Sequence, residues 1–239
     1  MKLRIRRRRL SAAIVLALPV ILSSVSCSRA VDGHPTYATQ TRNSELPLVK
    51  IAQLPSLILT PAEAGAVING PDLASILTFD KADRMPDGAL SDPKCAGLFA
   101  PGDELTYRGS GYQAIYGQLS EDHEQRRVFE AVAAFGTGVQ AQAFVDADVK
   151  RWKDCAGKIL TVTLQEPPAN WIASGPNRSD GVVVVVRRLE GGQGYACSRA
   201  VAAGSNIVAD ISVCRLEQPD LVETQAARIA NMILARIPR

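Results

Sequence analysis

The stretch that decides the fold is YACSRAVAAGSNIVADISVCR, residues 195–215. Residues 195–201 and 207–213 have the apolar and β-branched content of strands, and the turn-forming residues 203–206 separate them. The pattern therefore predicts a β-hairpin near the end of the chain.

The two cysteines of this stretch indicate the register of the hairpin. If the hairpin turns between Ser205 and Asn206, Cys197 and Cys214 are equally far from the turn and lie directly opposite each other. Side chains in such a pair share one face of the sheet, and their Cβ atoms are within the range that a disulfide needs. We therefore expect a Cys197–Cys214 disulfide.

Cys95 and Cys155 are then left to form a second disulfide, because an even number of cysteines in an exported domain indicates a disulfide framework. The alternative is a metal site. It is disfavoured because the sequence has no Cys-x-x-Cys, its only histidines are His34 and His123, and the spacings match no zinc pattern. We expect two disulfides, no metal and no cofactor.

Residues 1–26 have the features of a signal peptide. Lys2, Arg4 and the arginines at 6–9 precede an apolar stretch at residues 10–22, which Pro19 interrupts. That stretch is shorter than the roughly 20 apolar residues of a spanning helix. An uncleaved membrane anchor is the alternative, and both interpretations imply export.

The fifth cysteine, Cys27, comes directly after this segment. The order Ser24-Val25-Ser26-Cys27 resembles a bacterial lipobox, in which the cysteine carries a diacylglyceryl group, although Ser24 stands where leucine or valine is usual. Ordinary cleavage nearby, leaving a free thiol, is the alternative. We expect lipidation of Cys27, attachment to the extracytoplasmic face of the cell membrane, and a polar tether over residues 27–48.

The charge of the chain gives no support for nucleic-acid binding. The formal net charge is +3, but six of the 27 Lys and Arg residues and none of the 24 Asp and Glu residues lie in residues 1–26. The rest therefore carries 21 basic and 24 acidic residues. A nucleic-acid partner would require basic residues gathered on the folded part.

Three helices are predicted in residues 49–239. Thr60-Pro61-Ala62-Glu63 is a capping box and starts a helix that ends at 69–71. A middle helix over 138–154 has apolar residues at helical spacing, and a last helix begins at Pro219. The expected apolar residues are Ala143, Phe144, Ala147 and Trp152 in the middle helix, and Val222, Ala226, Ile229, Ile233 and Ile237 in the last.

Further strands are expected at residues 112–119, 127–135, 159–164, 171–172 and 182–186, the last an unbroken β-branched run typical of a central strand. Residues 71–102 are rich in Pro and Gly, and we expect them to be largely irregular. Strands joined by short turns, with helices at the start, middle and end, predict an α+β fold. It is a single disulfide-stapled domain with an antiparallel sheet flanked by helices.

No catalytic constellation is recognisable. Gly109-Ser110-Gly111 lacks the Gly-x-Ser-x-Gly spacing of a nucleophile elbow, and His123 lies in a charged stretch typical of a solvated turn. Trp152 and Trp171 are available to line a ligand groove, although packing in a core is the default for tryptophans. We expect no catalytic residues.

Five segments in order, together with the cysteine spacing, are similar to the PknH-like extracellular sensor domains of mycobacteria. These segments are LILTPAE at 57–63, YRGSGY at 107–112, WKDC at 152–155, YAC at 195–197 and NIVAD at 206–210. The resemblance covers roughly residues 49–237. It implies the same two disulfides, an antiparallel sheet with helices around a cleft, and a ligand-binding role, and it supplies no catalytic motif.

Three functions follow from these observations. The first is a cell-envelope lipoprotein that binds a small molecule or an envelope component in a cleft, with ligand-binding residues that the sequence does not identify. The second is a protein-interaction module that partners or competes with receptor-kinase ectodomains, since this sequence contains no kinase domain of its own. The third, least favoured, is an envelope hydrolase, which would require two carboxylates across a groove or His123 beside a serine.

Overall fold

The computed structural model describes residues 47–179, 181–216 and 219–238. The predicted signal peptide at 1–26, Cys27 and the predicted tether up to residue 46 lie outside the described residues.

The described residues form nine strands and five α-helices. The strands are β1 (Ala74–Phe79), β2 (Ala114–Glu121), β3 (Arg127–Ala134), β4 (Ile159–Val162), β5 (Ala169–Ala173), β6 (Asn177–Ser179), β7 (Val182–Leu189), β8 (Ala196–Gly204) and β9 (Ile207–Arg215). The α-helices are α1 (Leu54–Leu57), α2 (Pro61–Ile68), α3 (Glu104–Tyr107), α4 (Gly138–Cys155) and α5 (Pro219–Ala235), and short 3-10 helices lie at Ile51–Gln53 and Pro93–Leu98.

All nine strands join one antiparallel sheet in the order β1-β2-β3-β9-β8-β7-β5-β4, with β6 paired to β7 beside β5. Helices cover both faces, so the predicted α+β fold with an antiparallel sheet is confirmed. The predicted central strand is β7, and its β-branched run is buried on both faces. Val182, Val184 and Val186 enter one core, whereas Val183 and Val185 enter the other.

The hairpin of β8 and β9 has the register that its cysteines predict. Ser205 and Asn206 form the turn, and Cys197 pairs directly with Cys214. A disulfide joins these two cysteines, whose Cα atoms are 4.0 Å apart. Ser205 has a φ of 49°, which a residue at such a tight turn can require. The hairpin therefore has a covalent crosslink on one face of the sheet.

The first core lies between the sheet and α5. The apolar residues predicted for the last helix all face this core: Val222, Ala226, Ile229 and Ile233 lie in α5, and Ile237 lies just beyond its end. Helix α2 packs at the same face, and its start is the predicted capping box, in which the Thr60 hydroxyl accepts a hydrogen bond from the Glu63 amide. Asn69 ends α2 in the left-handed region, with a φ of 54°.

Helix α4 covers part of the opposite face, with a buried surface that differs from the predicted one. Ala143 and Ala147 are exposed, whereas Phe144 and Trp152 are buried as expected. The buried surface also includes Asp148, which a search for apolar periodicity does not include. The second disulfide, Cys95–Cys155, joins the 3-10 helix Pro93–Leu98 to the last residue of α4.

The prediction that residues 71–102 are largely irregular is wrong for β1. This strand lies at the edge of the sheet, where five of its six residues are exposed and the sixth is half-buried. An exposed edge strand has no apolar alternation, which is the signal that sequence reasoning uses. Its last residue, Phe79, pairs with Gly117, where a side chain would collide with the Phe79 ring.

Among the described residues, no single helix is long and apolar enough to cross a membrane. The segments Ile51–Leu57 and Pro61–Ile68 meet the length and composition criteria only as a bent pair.

Candidate functional site

Part of the sheet face that carries α4 is left open. Ala131, Ala133 and Val208 are completely buried beneath the α4 side of the molecule, but Leu119 and Phe129 on the same face are only half-buried. A cavity of about 200 Å³ opens over this part of the sheet. We call this cavity the sheet pocket.

The floor follows from the strand register. In one row across the sheet, Arg187 is paired with Cys197, Cys197 with Cys214, and Cys214 with Arg127. Directly paired residues in a sheet point to the same face. The Cys197–Cys214 disulfide therefore lies between two arginines in a single row.

The next row, two residues along each strand, continues the floor on the same face. Ser212 is paired with Phe129, and Phe129 is paired with Leu119. Both residues neighbouring Phe129 line the sheet pocket with it. The floor is thus cationic along one row and largely apolar along the next.

Aromatic rings form the walls. Phe99 follows the 3-10 helix Pro93–Leu98, Trp171 belongs to β5, and Tyr195 precedes β8. The ring centroids of Phe99 and Trp171 are 6.2 Å apart, and those of Trp171 and Tyr195 are 6.1 Å apart. Both contacts have the edge-to-face geometry that aromatic rings prefer.

Arg187 is a buried charged residue that lines the sheet pocket. Only 5% of its surface is exposed, and its guanidinium carbon lies 4.7 Å from the Phe99 centroid and 5.6 Å from that of Trp171. Its Nη2 donates to the Phe99 carbonyl at 3.2 Å. Its Nε and Nη1 atoms have no hydrogen-bond partner among the described residues. Burial, and then the charge of Arg199, lower the pKa of Arg187 to about 9, so the guanidinium remains charged at neutral pH.

A second arginine lies at the rim. Arg127 is half-exposed and donates from Nη2 to Glu121 at 2.9 Å. The Tyr195 hydroxyl donates to the Gln125 carbonyl at 3.4 Å, and burial raises the pKa of Tyr195. None of the described residues that line the sheet pocket is acidic, and Arg187 is its lining cation without a carboxylate partner among the described residues, whereas Arg127 is paired with Glu121.

A second cavity, of about 370 Å³, lies beside the first, and Phe129 lines both. Its other lining residues include Leu77, Phe79, Met85 and Pro101. The Phe79 and Phe129 rings meet edge to face with centroids 5.5 Å apart. The cationic pocket therefore adjoins a mostly apolar one across a single aromatic side chain.

A buried ion pair holds the loop that carries Phe99. Arg199 Nη1 lies 2.5 Å from Asp210 Oδ1, and each side chain is 1% exposed. Arg199 also donates from Nε to the Gly97 carbonyl at 2.9 Å, and Asp210 accepts from the Gly102 amide at 3.0 Å. Because these bonds flank Phe99 in sequence, they fix the wall of the sheet pocket to the sheet.

A family of extracellular domains matches most of this chain. The model of the family described as PknH-like extracellular domain matches residues 49–236. The chain belongs to this family. It is 30% identical over 230 residues to the serine/threonine-protein kinase PknH of Mycobacterium tuberculosis (strain CDC 1551), a match that covers 95% of this chain and 34% of the kinase. The same identity holds for PknH of Mycobacterium bovis, of which the match covers 36%.

A solved structure of the family shows the same fold. The crystal structure of the extracellular domain of PknH from Mycobacterium tuberculosis matches with a TM-score of 0.73 and 31% identity, over 80% of this chain and 97% of that domain. This chain spans about a third of the length of the kinases that it matches. Membership of the PknH-like family, together with the disulfides, supports an extracytoplasmic location.

Sequence reasoning identified part of the sheet pocket. Cys197 and Cys214 form its floor, whereas Cys95 and Cys155 lie outside it and tie the Phe99-bearing segment to α4. Trp171 lines the sheet pocket, but Trp152 is a core residue with 1% exposure. His123 is exposed, as expected of a solvated turn. Within the described ranges, no group of three or more His, Cys, Asp or Glu residues could hold a metal ion.

Sequence reasoning did not identify Arg187 as a lining residue of the sheet pocket. The predicted strand ended at Val186, and the next two residues are both arginine. The available signal was the alternation of β7, because Arg187 shares a face with Val183 and Val185. That alternation places Arg187 inside and Arg188, which is exposed, outside.

Proposed function

We propose that this chain is a cell-envelope lipoprotein whose PknH-like domain binds a small molecule or an envelope component in the sheet pocket. The single observation that supports it is the combination of aromatic walls with a buried side chain that retains unused donors. Ligand sites are concave and mostly apolar, with a few polar groups that fix the orientation of the ligand. The sheet pocket has this composition.

The rigidity of the pocket also supports binding. Its floor is crosslinked by the Cys197–Cys214 disulfide, and its Phe99 wall is held by the Arg199–Asp210 ion pair. A preformed site loses less conformational entropy when a ligand enters than a site that must first become ordered. A hydrolase function is less favoured, because the described residues that line this pocket include no pair of carboxylates.

Native mass spectrometry of the protein purified from its own envelope tests the proposal. We expect a co-purifying molecule, which Trp171→Ala should lose because the variant removes one wall. Ile172→Ala is the matched control, because Ile172 is the next residue of β5 and is exposed. Repeated spectra without a bound molecule, or equal retention by the two variants, would contradict binding in the sheet pocket.

The membrane anchor is a separate part of the proposal. Residues 1–26 would direct export, Cys27 would carry the lipid, and residues 27–48 would connect it to the domain. Replacing Cys27 with Ala should move the protein from the membrane fraction to the soluble extracytoplasmic fraction, as followed by immunoblotting. A Ser26→Ala variant, which keeps a small residue before the cysteine, should remain in the membrane. Unchanged membrane retention of the Cys27 variant would contradict lipid anchoring.

A further inference from the structure

Arg187 and Arg199 occupy similar environments but differ in their partners. Both are almost completely buried on the same face of the sheet. Arg199 has a carboxylate at 2.5 Å and donates to backbone carbonyls as well. Arg187 has one carbonyl partner and two nitrogens with no partner among the described residues. The fold thus pairs the Arg199 guanidinium with a carboxylate and several carbonyls, whereas the Arg187 guanidinium has a single hydrogen-bond partner among the described residues.

An incompletely paired buried charge destabilises a protein unless another group compensates it. The aromatic rings of Phe99 and Trp171 lie over the Arg187 guanidinium and supply cation–π attraction. Rings interact with the faces of a planar guanidinium, whereas its N–H groups point outward within the plane. Nε and Nη1 are enclosed and have no partner among the described residues, so their hydrogen-bonding capacity is unused at a side chain that lines the sheet pocket.

Resting on the function proposed above, we propose that the ligand carries an oxyanion, a carboxylate or a phosphate, that pairs with Arg187, next to a ring or apolar group that contacts Trp171. Arg127 at the rim is paired with Glu121, so Arg187 is the lining cation without a carboxylate partner among the described residues, and no described lining residue is acidic. Guanidinium groups bind carboxylates and phosphates through strong, charge-assisted hydrogen bonds. The chemistry of the pocket therefore selects against neutral and cationic groups at this position.

The dimensions of the site extend this assignment. The sheet pocket, at about 200 Å³, accommodates one compact group. A larger molecule would continue past Phe129 into the adjoining cavity of about 370 Å³, whose lining is mostly apolar and also includes Lys81, Asp83 and Arg84. The expected ligand is thus anionic at the Arg187 end and apolar at the other.

Three probes separate charge from shape: benzoate, its neutral isostere benzamide, and phenyl phosphate. Each is titrated into the full chain purified from the envelope, by calorimetry at constant ionic strength. We expect benzoate or phenyl phosphate to bind at least about tenfold more tightly than benzamide, as a charge-assisted hydrogen bond would require. The stronger of the two anions identifies carboxylate or phosphate as the preferred group.

Arg187→Gln should remove this preference, and Arg188→Gln should retain it, because Arg188 is the exposed neighbour on the same strand. Equal binding of benzamide and the two anions by the natural protein would overturn the anion assignment and leave pocket binding intact. An unchanged preference in Arg187→Gln would also overturn it. If none of the probes binds and the envelope-purified protein holds no molecule, both proposals fail.

A stability measurement keeps the inference testable if Arg187→Gln folds poorly. In Arg187→Met the apolar side chain replaces the incompletely paired charge, so we expect its melting temperature in chloride to equal or exceed that of the natural protein. Phosphate stabilises folded proteins in general, so replacing chloride by phosphate at the same ionic strength should raise the melting temperature of the natural protein more than that of Arg187→Met. A marked fall in the melting temperature of Arg187→Met in chloride, with equal effects of phosphate on the two proteins, would show a purely structural role for Arg187.

Discussion

Replacing Glu130 with Gln should stabilise the protein at pH 8 and leave it nearly unchanged at pH 5. Glu130 lies in β3, is completely buried, and accepts only a long hydrogen bond, of 3.4 Å, from the Leu59 amide. Its Oε2 has no partner among the described residues. Burial raises the pKa of Glu130 from 4.5 to about 8, so the folded protein keeps this carboxyl protonated at neutral pH.

The sign of the effect follows from proton linkage. Below pH 4.5 both the folded and the unfolded chains hold the proton, and Glu130 contributes no pH dependence. Between pH 4.5 and about 8 only the unfolded chain releases it, so the free energy of unfolding falls as the pH rises. One pKa unit corresponds to about 1.4 kcal/mol, which makes the total loss by pH 8 on the order of 4 kcal/mol.

Urea denaturation followed by circular dichroism at pH 5, 6, 7 and 8, with both disulfides intact, measures this loss. Gln cannot release a proton, so the free energy of unfolding of the Glu130→Gln variant should lack this pH-dependent fall. The variant should therefore be more stable than the natural protein by roughly 3–4 kcal/mol at pH 8. Glu190→Gln is the matched control, because Glu190 is exposed. A difference between Glu130→Gln and the natural protein that does not change with pH would refute the reasoning.

Three further substitutions test the interactions that hold the site and the fold. Asp210→Asn should lower the free energy of unfolding by about 3 kcal/mol, because the buried Arg199 loses its counter-charge; a loss below about 1 kcal/mol in urea denaturation would contradict this. Cys95→Ser combined with Cys155→Ser should cost about 4 kcal/mol, since the disulfide closes a 60-residue separation; thermal unfolding of the oxidised protein and the variant compares them, and equal stability would count against the crosslink. Thr60→Ala should cost about 1 kcal/mol by removing the acceptor for the Glu63 amide at the start of α2; Thr60→Ser should recover most of the loss in the same denaturation assay.

The sheet and its last hairpin could be predicted because their signals are local. The positions of Cys197 and Cys214 about the Ser205–Asn206 turn are sufficient to give the register, and the four predicted apolar residues within α5 recur at helical spacing. Local signals failed where burial depends on distant segments. Strand β1 is exposed at the sheet edge, and Asp148 is buried in α4 by packing that its neighbours in sequence do not indicate.

The candidate site was predictable in its floor and in one wall residue, Trp171. Cys197 and Cys214 are placed by the hairpin, but the walls come from three separate segments, which meet only in the folded chain. Phe99 is brought to the sheet by Arg199 and Asp210, residues more than 90 positions away in sequence. No periodicity in one segment can report a contact of this kind.

Glu130 and Arg187 are both buried polar groups with unused hydrogen-bonding atoms, yet their charges can be neutralised in different ways. Glu130 faces the core beneath α1 and binds a proton, which neutralises the group at neutral pH without any other molecule. Arg187 has a pKa of about 9 and keeps its proton at the same pH, so only an anion can balance its charge. Arg187 also lines a cavity that an anion could enter. The charged group that keeps its proton at neutral pH is therefore the one that lines a cavity, which is the physical basis for proposing an anion at that face of the sheet.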